Sequence, residues 1–151
     1  MSTFTRRTFV VTATGAAVAA TSGLPAFAMD AQTIEVSMLN KATDNPRERM
    51  VYEPALIRAN PGDTIKFVSV DKGHNMELME GGVPDGVEIV KSKASQDFEL
   101  VVEAEGTYLV KCTPHYATGM VAIIAVGDHT INLDTAKEVR QRGKAKGRFE
   151  D

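Results

Sequence analysis

The sequence predicts an all-β protein, a sandwich of short strands followed by a short C-terminal helical segment. Three observations lead to this fold class. Apolar and polar residues alternate through 33–39, with the period of two that marks a half-buried strand. Pro and Gly occur in turn-forming order at 60–63, between two strand-like runs. From Asn132 onward the pattern changes to one that suits a helix.

Residues 1–28 are a candidate export signal and not part of the fold. Arg6 and Arg7 precede an apolar, alanine-rich run that is too short and too weakly hydrophobic for a membrane span. Residues 26–28 read Ala-Phe-Ala, which fits a small-residue cleavage site. Paired arginines favour the twin-arginine route, with an ordinary Sec signal as the alternative. We therefore expect a periplasmic mature chain that begins near Met29 and has no membrane anchor.

The composition of the mature chain limits its possible partners. Without a leader that holds two arginines and no acid, 123 residues remain, with 15 Lys+Arg against 20 Asp+Glu. This length fits one domain, so we expect a sandwich over 29–128 and a helical tail over 129–151. The net charge of −5 argues against nucleic acid as a partner. A single cysteine cannot form an internal disulfide, so an exported free thiol must be buried or bound to a metal.

The remaining elements follow in chain order. Strands are expected at 33–39, 55–59, 64–70, 97–102, 107–112 and 121–126, with polar loops at 43–49 and 80–86. The last of these strands is apolar almost throughout, which is typical of a strand buried between two layers. Leu133, Ala136, Lys137 and Arg140 suit a short helix capped by Asn132 or Asp134. The polar end, 143–151, is expected to fray.

The stretch 111–120 brings three metal-binding residue types together. Cys112 offers a thiolate, His115 an imidazole and Met120 a thioether. One thiolate, two imidazoles and a weak axial thioether form the trigonal site of a blue-copper electron carrier. The stretch lacks one imidazole, and His74 lies directly after another strand-like run.

Taken one at a time, these residues have plainer interpretations. A free cysteine is usually a small buried hydrophobe, a single histidine a hydrogen-bonded residue, and a methionine core filler. The spacing Cys-x-x-His-x-x-x-x-Met between two strand-like runs favours the metal site. A third interpretation makes Cys112 a nucleophile with His115 as its base. It is disfavoured because no third orienting residue is apparent and Met120 is left without a role.

Several stretches match a known family. They are Ile34-Glu35-Val36, Met38-Leu39-Asn40-Lys41, Glu53-Pro54-Ala55, 59–64, 70–75, 108–117 and 119–128. The chain resembles the pseudoazurins, a family of small periplasmic cupredoxins, up to about residue 134. The resemblance implies a cupredoxin-like Greek-key β-sandwich of about eight strands. It also implies one type 1 copper held by His74, Cys112, His115 and Met120, with Asn75 tying the two ligand loops together.

The resemblance further implies a monomeric electron carrier, not an enzyme. Five lysines match the family's basic ring around the copper end: Lys41, Lys72, Lys91, Lys93 and Lys111. Taken singly, each is more simply a solvated lysine. The implied partners are copper nitrite reductase or a c-type cytochrome, which approach the face around His115. The alternative function is a periplasmic copper-binding or delivery protein without a redox partner, whose site would be exposed and exchangeable.

Overall fold

The computed structural model describes residues 30–150, in which two four-stranded sheets pack face to face. The strands are β1 (Thr33–Lys41), β2 (Arg49–Glu53), β3 (Leu56–Ala59), β4 (Asp63–Val68), β5 (Glu77–Leu78), β6 (Phe98–Val102), β7 (Gly106–Lys111) and β8 (Val121–Val126). One sheet has the order β2-β1-β4-β6 and the other β3-β8-β7-β5. The predicted all-β sandwich of eight strands is confirmed. The predicted export signal, 1–28, lies outside the described residues.

The core lies between the sheets because each strand alternates inward and outward side chains. β1 runs parallel to β4, with Val36 opposite Phe67 and Ile34 opposite Ile65. Val36, Ile65 and Phe67 are fully buried. The second sheet supplies Ile57, Tyr108, Val110 and Ile124 to the same cluster. Burying one such side chain contributes about 1.5–3 kcal/mol, so this cluster supplies much of the stability that holds the strands in place.

Two strands were missed by the sequence pattern. β2 begins at Arg49, inside the stretch predicted as a loop, and pairs antiparallel with β1. β5 has only two residues and pairs with the end of β7, so that Glu77 lies opposite Lys111. Both are too short to show a period of two clearly. β5 nevertheless matters for the site, because it brings the chain after β4 beside the end of β7.

Two short helices cover the outer face of the second sheet. They are α1 (Leu133–Glu138), which begins after Asn132 as predicted, and α2 (Ala145–Glu150). α1 packs against β7 and α2 against β8, so β8 is covered on both faces as predicted. None of the helices within 30–150 has the length and apolar character needed to span a bilayer.

The prediction that the polar C-terminal end frays is wrong for residues 145–150. Ala145 is fully buried, and Phe149 packs against a small apolar cluster that includes Leu109 and Met79. Ala145 and Phe149 are four positions apart and therefore lie on one face of α2. Two apolar side chains among many charges are a weak sequence signal, yet they dock the helix.

Candidate metal centre

The ends of two strands bring the candidate ligands together. His74 follows β4, and the loop from β7 to β8 carries Cys112, His115 and Met120. The loop before His74 is fixed to a neighbouring loop. Gly73 N–H donates to Ser95 Oγ at 2.9 Å, and Ser95 N–H donates to the His74 carbonyl at 2.9 Å. Gly73 has φ +92°, a left-handed conformation that a side chain would strain.

Three donor atoms converge at one buried point. The Nδ1 atoms of His74 and His115 are 3.1 Å apart. The Cys112 Sγ lies 3.9 Å from Nδ1 of His74 and 3.6 Å from Nδ1 of His115. All three ligand atoms lie within 4.8 Å of one another. His74 and Cys112 have no exposed surface, whereas His115 is half-buried. The structure thus brings together the donor atoms of three of the four expected ligands, His74, Cys112 and His115.

The ring of His74 is oriented by Asn40. Its Nε2 lies 3.0 Å from Asn40 Oδ1, an oxygen that can only accept a hydrogen bond. The proton of the neutral imidazole therefore belongs on Nε2, which leaves the lone pair of Nδ1 facing Cys112 and His115. Asn40 lies in β1, 34 residues before the histidine. The spacing of the expected ligands along the sequence does not indicate that Asn40 orients His74.

Asn75 ties the two ligand loops together, as predicted. Its Oδ1 accepts a hydrogen bond from Thr113 N–H at 2.9 Å. Its Nδ2 donates to Thr113 Oγ1 at 3.0 Å. The side chain of Asn75 is buried whereas Thr113 is exposed, so both bonds are partly buried. The residues next to His74 and Cys112 are therefore joined directly, which fixes the distance between those two ligands.

A 3₁₀ turn, Tyr116–Thr118, closes the ligand loop. Met120 N–H donates to the His115 carbonyl at 3.1 Å, and Cys112 N–H donates to the Met120 carbonyl at 3.0 Å. Met120 is fully buried. Its backbone is thus bonded to both other ligands of the loop. Thr118, an exposed polar residue of the same turn, donates its hydroxyl to the His115 carbonyl at 2.7 Å.

Burial and neighbouring charges set the protonation of the metal-free site. Burial raises the pKa of the Cys112 thiol, although N–H groups of Asn75 and His115 work in the opposite direction. Burial and the neighbouring His115 lower the pKa of His74, and Asp71 raises it. At neutral pH His74 is therefore a neutral imidazole and Cys112 a thiol. A metal that takes the thiolate must displace a proton.

The donor set fits copper. A buried thiolate sulfur and two neutral imidazole nitrogens are ligands that suit copper, and a thioether provides a weak fourth donor. The hydrogen bond from His74 to Asn40 and the link from Asn75 to Thr113 are the outer contacts that orient metal ligands in proteins. His74 and Cys112 are both fully buried, so their ligand atoms are held away from bulk water.

The predicted lysines do not form one uniform patch. Lys91 and Lys111 both pair with the half-buried carboxylate of Glu77, with Nζ–Oε2 and Nζ–Oε1 distances of 3.4 and 3.3 Å. Burial raises the pKa of Glu77, but the Thr113 hydroxyl and Lys111 more than offset it, so the carboxyl remains ionised. Within residues 30–150 no ion pair involves Lys41 or Lys72, and both are exposed. Sequence reasoning missed Glu77, because the β5–β7 pairing places it beside Lys111 and an isolated β-bridge places it beside Lys91.

Comparison with known proteins places the geometry in context. Residues 36–127 match the sequence profile of copper binding proteins of the plastocyanin/azurin family. The pseudoazurin of Paracoccus pantotrophus is 48% identical over 120 residues, which cover 80% of this chain and 81% of that protein. The pseudoazurin of Methylorubrum extorquens is 44% identical over 131 residues, covering 87% of this chain and 84% of the other.

Solved structures agree with these matches. The crystal structure of pseudoazurin from Methylobacterium extorquens AM1 superposes with a TM-score of 0.73 at 42% identity. The superposition covers 78% of this chain and 94% of the other. The native pseudoazurin of Hyphomicrobium denitrificans superposes with a TM-score of 0.73 at 40% identity, covering 78% and 93%. The similarity therefore includes the sandwich and both ligand loops.

Proposed function

We propose, because this chain belongs to the plastocyanin/azurin family of copper binding proteins and within it to the pseudoazurins, that His74, Cys112, His115 and Met120 hold one type 1 copper ion. The chain is a copper electron carrier and not an enzyme. The observation that carries the ligand assignment is the convergence of one sulfur and two imidazole nitrogens within 4.8 Å at a buried point.

The chain's part in the chemistry is to hold the donors still. When bound, copper supplies a one-electron centre that alternates between Cu(II) and Cu(I). His74 is held by Asn40, and Cys112 is held through the link from Asn75 to Thr113. Both ligand loops are anchored in strands whose side chains form the core. Little rearrangement is then needed when the oxidation state changes, which favours fast electron transfer.

Electrons leave and enter through the edge of His115. Of the three converging ligands it is the one that is half-exposed, since His74 and Cys112 are fully buried. Its loop neighbours Pro114, Ala117 and Thr118 are exposed and form part of a rim that a partner can contact. A partner seated on this rim is separated from the site by one imidazole ring.

The partner is an acidic redox protein of the periplasm, such as copper nitrite reductase or a c-type cytochrome. The support is the set of lysines near the ligand loops, namely Lys41, Lys72, Lys91 and Lys111. Positive groups at one pole of a net acidic protein steer it towards a negatively charged partner. The carrier acts as a monomer, and nucleic acid is not a partner because the mature chain is net negative.

Voltammetry of the copper-loaded protein distinguishes a carrier from a copper delivery protein. A carrier gives a reversible one-electron wave and retains its copper when an external Cu(I) chelator is added. A delivery protein loses copper to the chelator and shows no stable wave. The complete burial of Cys112 and His74 favours the carrier, since an exchangeable site is expected to be open.

A further inference from the structure

The C-terminal basic segment, residues 140–148, is the most positively charged stretch of the chain. Five of its nine residues are cationic and none is acidic, namely Arg140, Arg142, Lys144, Lys146 and Arg148. Arg148 pairs with Glu48, with Nη1 3.1 Å from Oε2. Within residues 30–150 no ion pair involves the other four, and all four are exposed. Glu138 and Glu150 flank the segment without entering it.

This segment lies against the ligand loop. Lys144 N–H donates to the Ala117 carbonyl at 3.0 Å, and the Tyr116 hydroxyl donates to Gln141 Oε1 at 2.7 Å. A β-carbon placed on Gly119 would lie 3.3 Å from side-chain atoms of both Lys144 and Arg148. Gly119 directly precedes Met120. The basic segment therefore borders the same loop that carries His115 and Met120.

Two of the other candidate cations near this loop are partly neutralised. Lys91 and Lys111 share the carboxylate of Glu77. Their combined field at the surface is weaker than that of two isolated lysines, because the one carboxylate offsets one of the two positive charges. Uncompensated positive charge beside the loop is therefore concentrated in the basic segment, together with Lys41 and Lys72.

We propose that the C-terminal basic segment is a docking surface for the acidic face of the redox partner, with Arg142 and Lys144 as its residues nearest the ligand loop. The proposal rests on the proposed function, because it extends the face around His115 towards the C-terminus. The four unpaired cations attract the acidic partner, and the contacts with Ala117 and Tyr116 keep them beside the electron-transfer edge.

Electron transfer to charged inorganic reagents tests the proposal. The anionic reagent is hexacyanoferrate(III), which is reduced to hexacyanoferrate(II). The cationic reagent is tris(phenanthroline)cobalt(III), which is reduced to its cobalt(II) form. In each reaction the Cu(I) protein loses one electron. The variant Arg142→Gln/Lys144→Gln is expected to react with the anionic reagent about threefold to tenfold more slowly at low ionic strength. Its reaction with the cationic reagent is expected to be faster, and both effects fade as salt screens the charges.

The matched control is Arg58→Gln/Lys137→Gln, which removes the same charge from the far side of the groove that these residues share with Arg140 and Lys146. Arg58 lies beside Ala125 at the end of β8 far from Met120, and Lys137 lies in α1. The control is expected to change either rate by less than about twofold. A parent that is not blue or shows no reversible wave contradicts the proposed function itself. A blue, reversible parent whose Arg142→Gln/Lys144→Gln variant reacts like the control overturns only the docking proposal.

A binding experiment provides a second readout that needs no electron transfer. Redox-inert paramagnetic hexacyanochromate(III) is expected to broaden amide resonances of residues 117–119 and 142–148 in the Cu(I) protein. The broadening is expected to disappear in Arg142→Gln/Lys144→Gln and to persist in the control. Broadening confined to the opposite end of the sandwich contradicts the proposal. If the parent sediments with phosphatidylglycerol vesicles and Arg142→Gln/Lys144→Gln does not, the segment binds a lipid surface. That result would also overturn the docking proposal.

Discussion

Asn40 Oδ1 lies 3.0 Å from Nε2 of His74, so a strand residue selects which imidazole nitrogen faces the metal site. Outer contacts of this kind change metal affinity by about 10- to 100-fold when they are removed. We predict that Asn40→Ala lowers copper affinity by about this factor, because the imidazole can then rotate or change tautomer. Competition with a copper chelator measures the affinity.

The control for this prediction is Asn45→Ala, the same substitution in the exposed loop before β2. The side chain of Asn45 forms hydrogen bonds within its own loop, with Arg47 N–H and the Glu48 carboxylate. Its copper affinity is expected to equal that of the parent. Equal affinities for Asn40→Ala and the parent would show that the His74 ring is held by packing alone.

Met120 is predicted to tune the site and not to build it. A thioether is a weak axial ligand, so Met120→Gln is expected to retain copper while the reduction potential falls. Cyclic voltammetry of the two proteins measures the change. Met38→Leu is the control, because Met38 is equally buried in the same apolar cluster but lies in β1 and is not an expected ligand. An unchanged potential in Met120→Gln would make Met120 core filler.

Asp63 is predicted to stabilise the fold in a pH-dependent way. Its carboxylate accepts hydrogen bonds from Gln32 N–H at 2.9 Å and Asn60 N–H at 2.7 Å. These backbone bonds hold the pKa of Asp63 below its ordinary value. The stabilisation is therefore present above the unfolded pKa, about 3.9, and is lost as the pH falls through the folded pKa.

Urea unfolding of Asp63→Asn measures this contribution. An amide offers one oxygen where the carboxylate offers two, so one backbone N–H is left unpaired at a cost of about 1–3 kcal/mol at pH 7. The difference from the parent is expected to shrink below the folded pKa of Asp63. Asp85→Asn, in an exposed turn, is the control. A difference that stays constant down to strongly acidic pH would exclude Asp63 as the titrating group.

Lys72 is predicted to matter more for docking than Lys91. Both are exposed, but Lys91 pairs with Glu77, whereas no ion pair within 30–150 involves Lys72. Lys72→Gln is expected to slow association with a purified copper nitrite reductase at low salt, and Lys91→Gln to slow it less. The effect is expected to fade once the screening length falls to about 8 Å at physiological salt. Equal slowing of both variants would show that Glu77 does not screen Lys91.

The sequence was sufficient to predict the ligand loop because its donors are close along the chain. Cys112, His115 and Met120 fall within one loop, so their convergence with one another needs only a turn. Six of the eight strands were predictable for a similar reason, since a period of two is a local property. Their ends differ from the predicted ones by one or two residues, as is usual where strands fray into turns.

Features that depend on strand pairing could not be predicted in the same way. The contact of Asn40 with His74 follows from the fold around β1 and β4, and the contact of Glu77 with Lys111 from the β5–β7 register. The docking of α2 was missed because Ala145 and Phe149 are two apolar residues in a mostly charged segment, which is too few to form a clear apolar pattern. In each case the side chains are ordinary in sequence and acquire their role from a neighbour distant along the chain.

The visible and EPR spectra of the Cu(II)-loaded protein, compared with those of Cys112→Ser, test the central claim most directly. The parent is predicted to show an intense blue thiolate-to-copper band and the small copper hyperfine splitting of a type 1 site. Cys112→Ser is predicted to lose the band but to fold, because the other side chains of the core cluster supply most of its buried apolar surface; circular dichroism measures whether it folds. A parent without the band, or a serine variant that keeps it, would contradict the assignment of Cys112 as the copper thiolate.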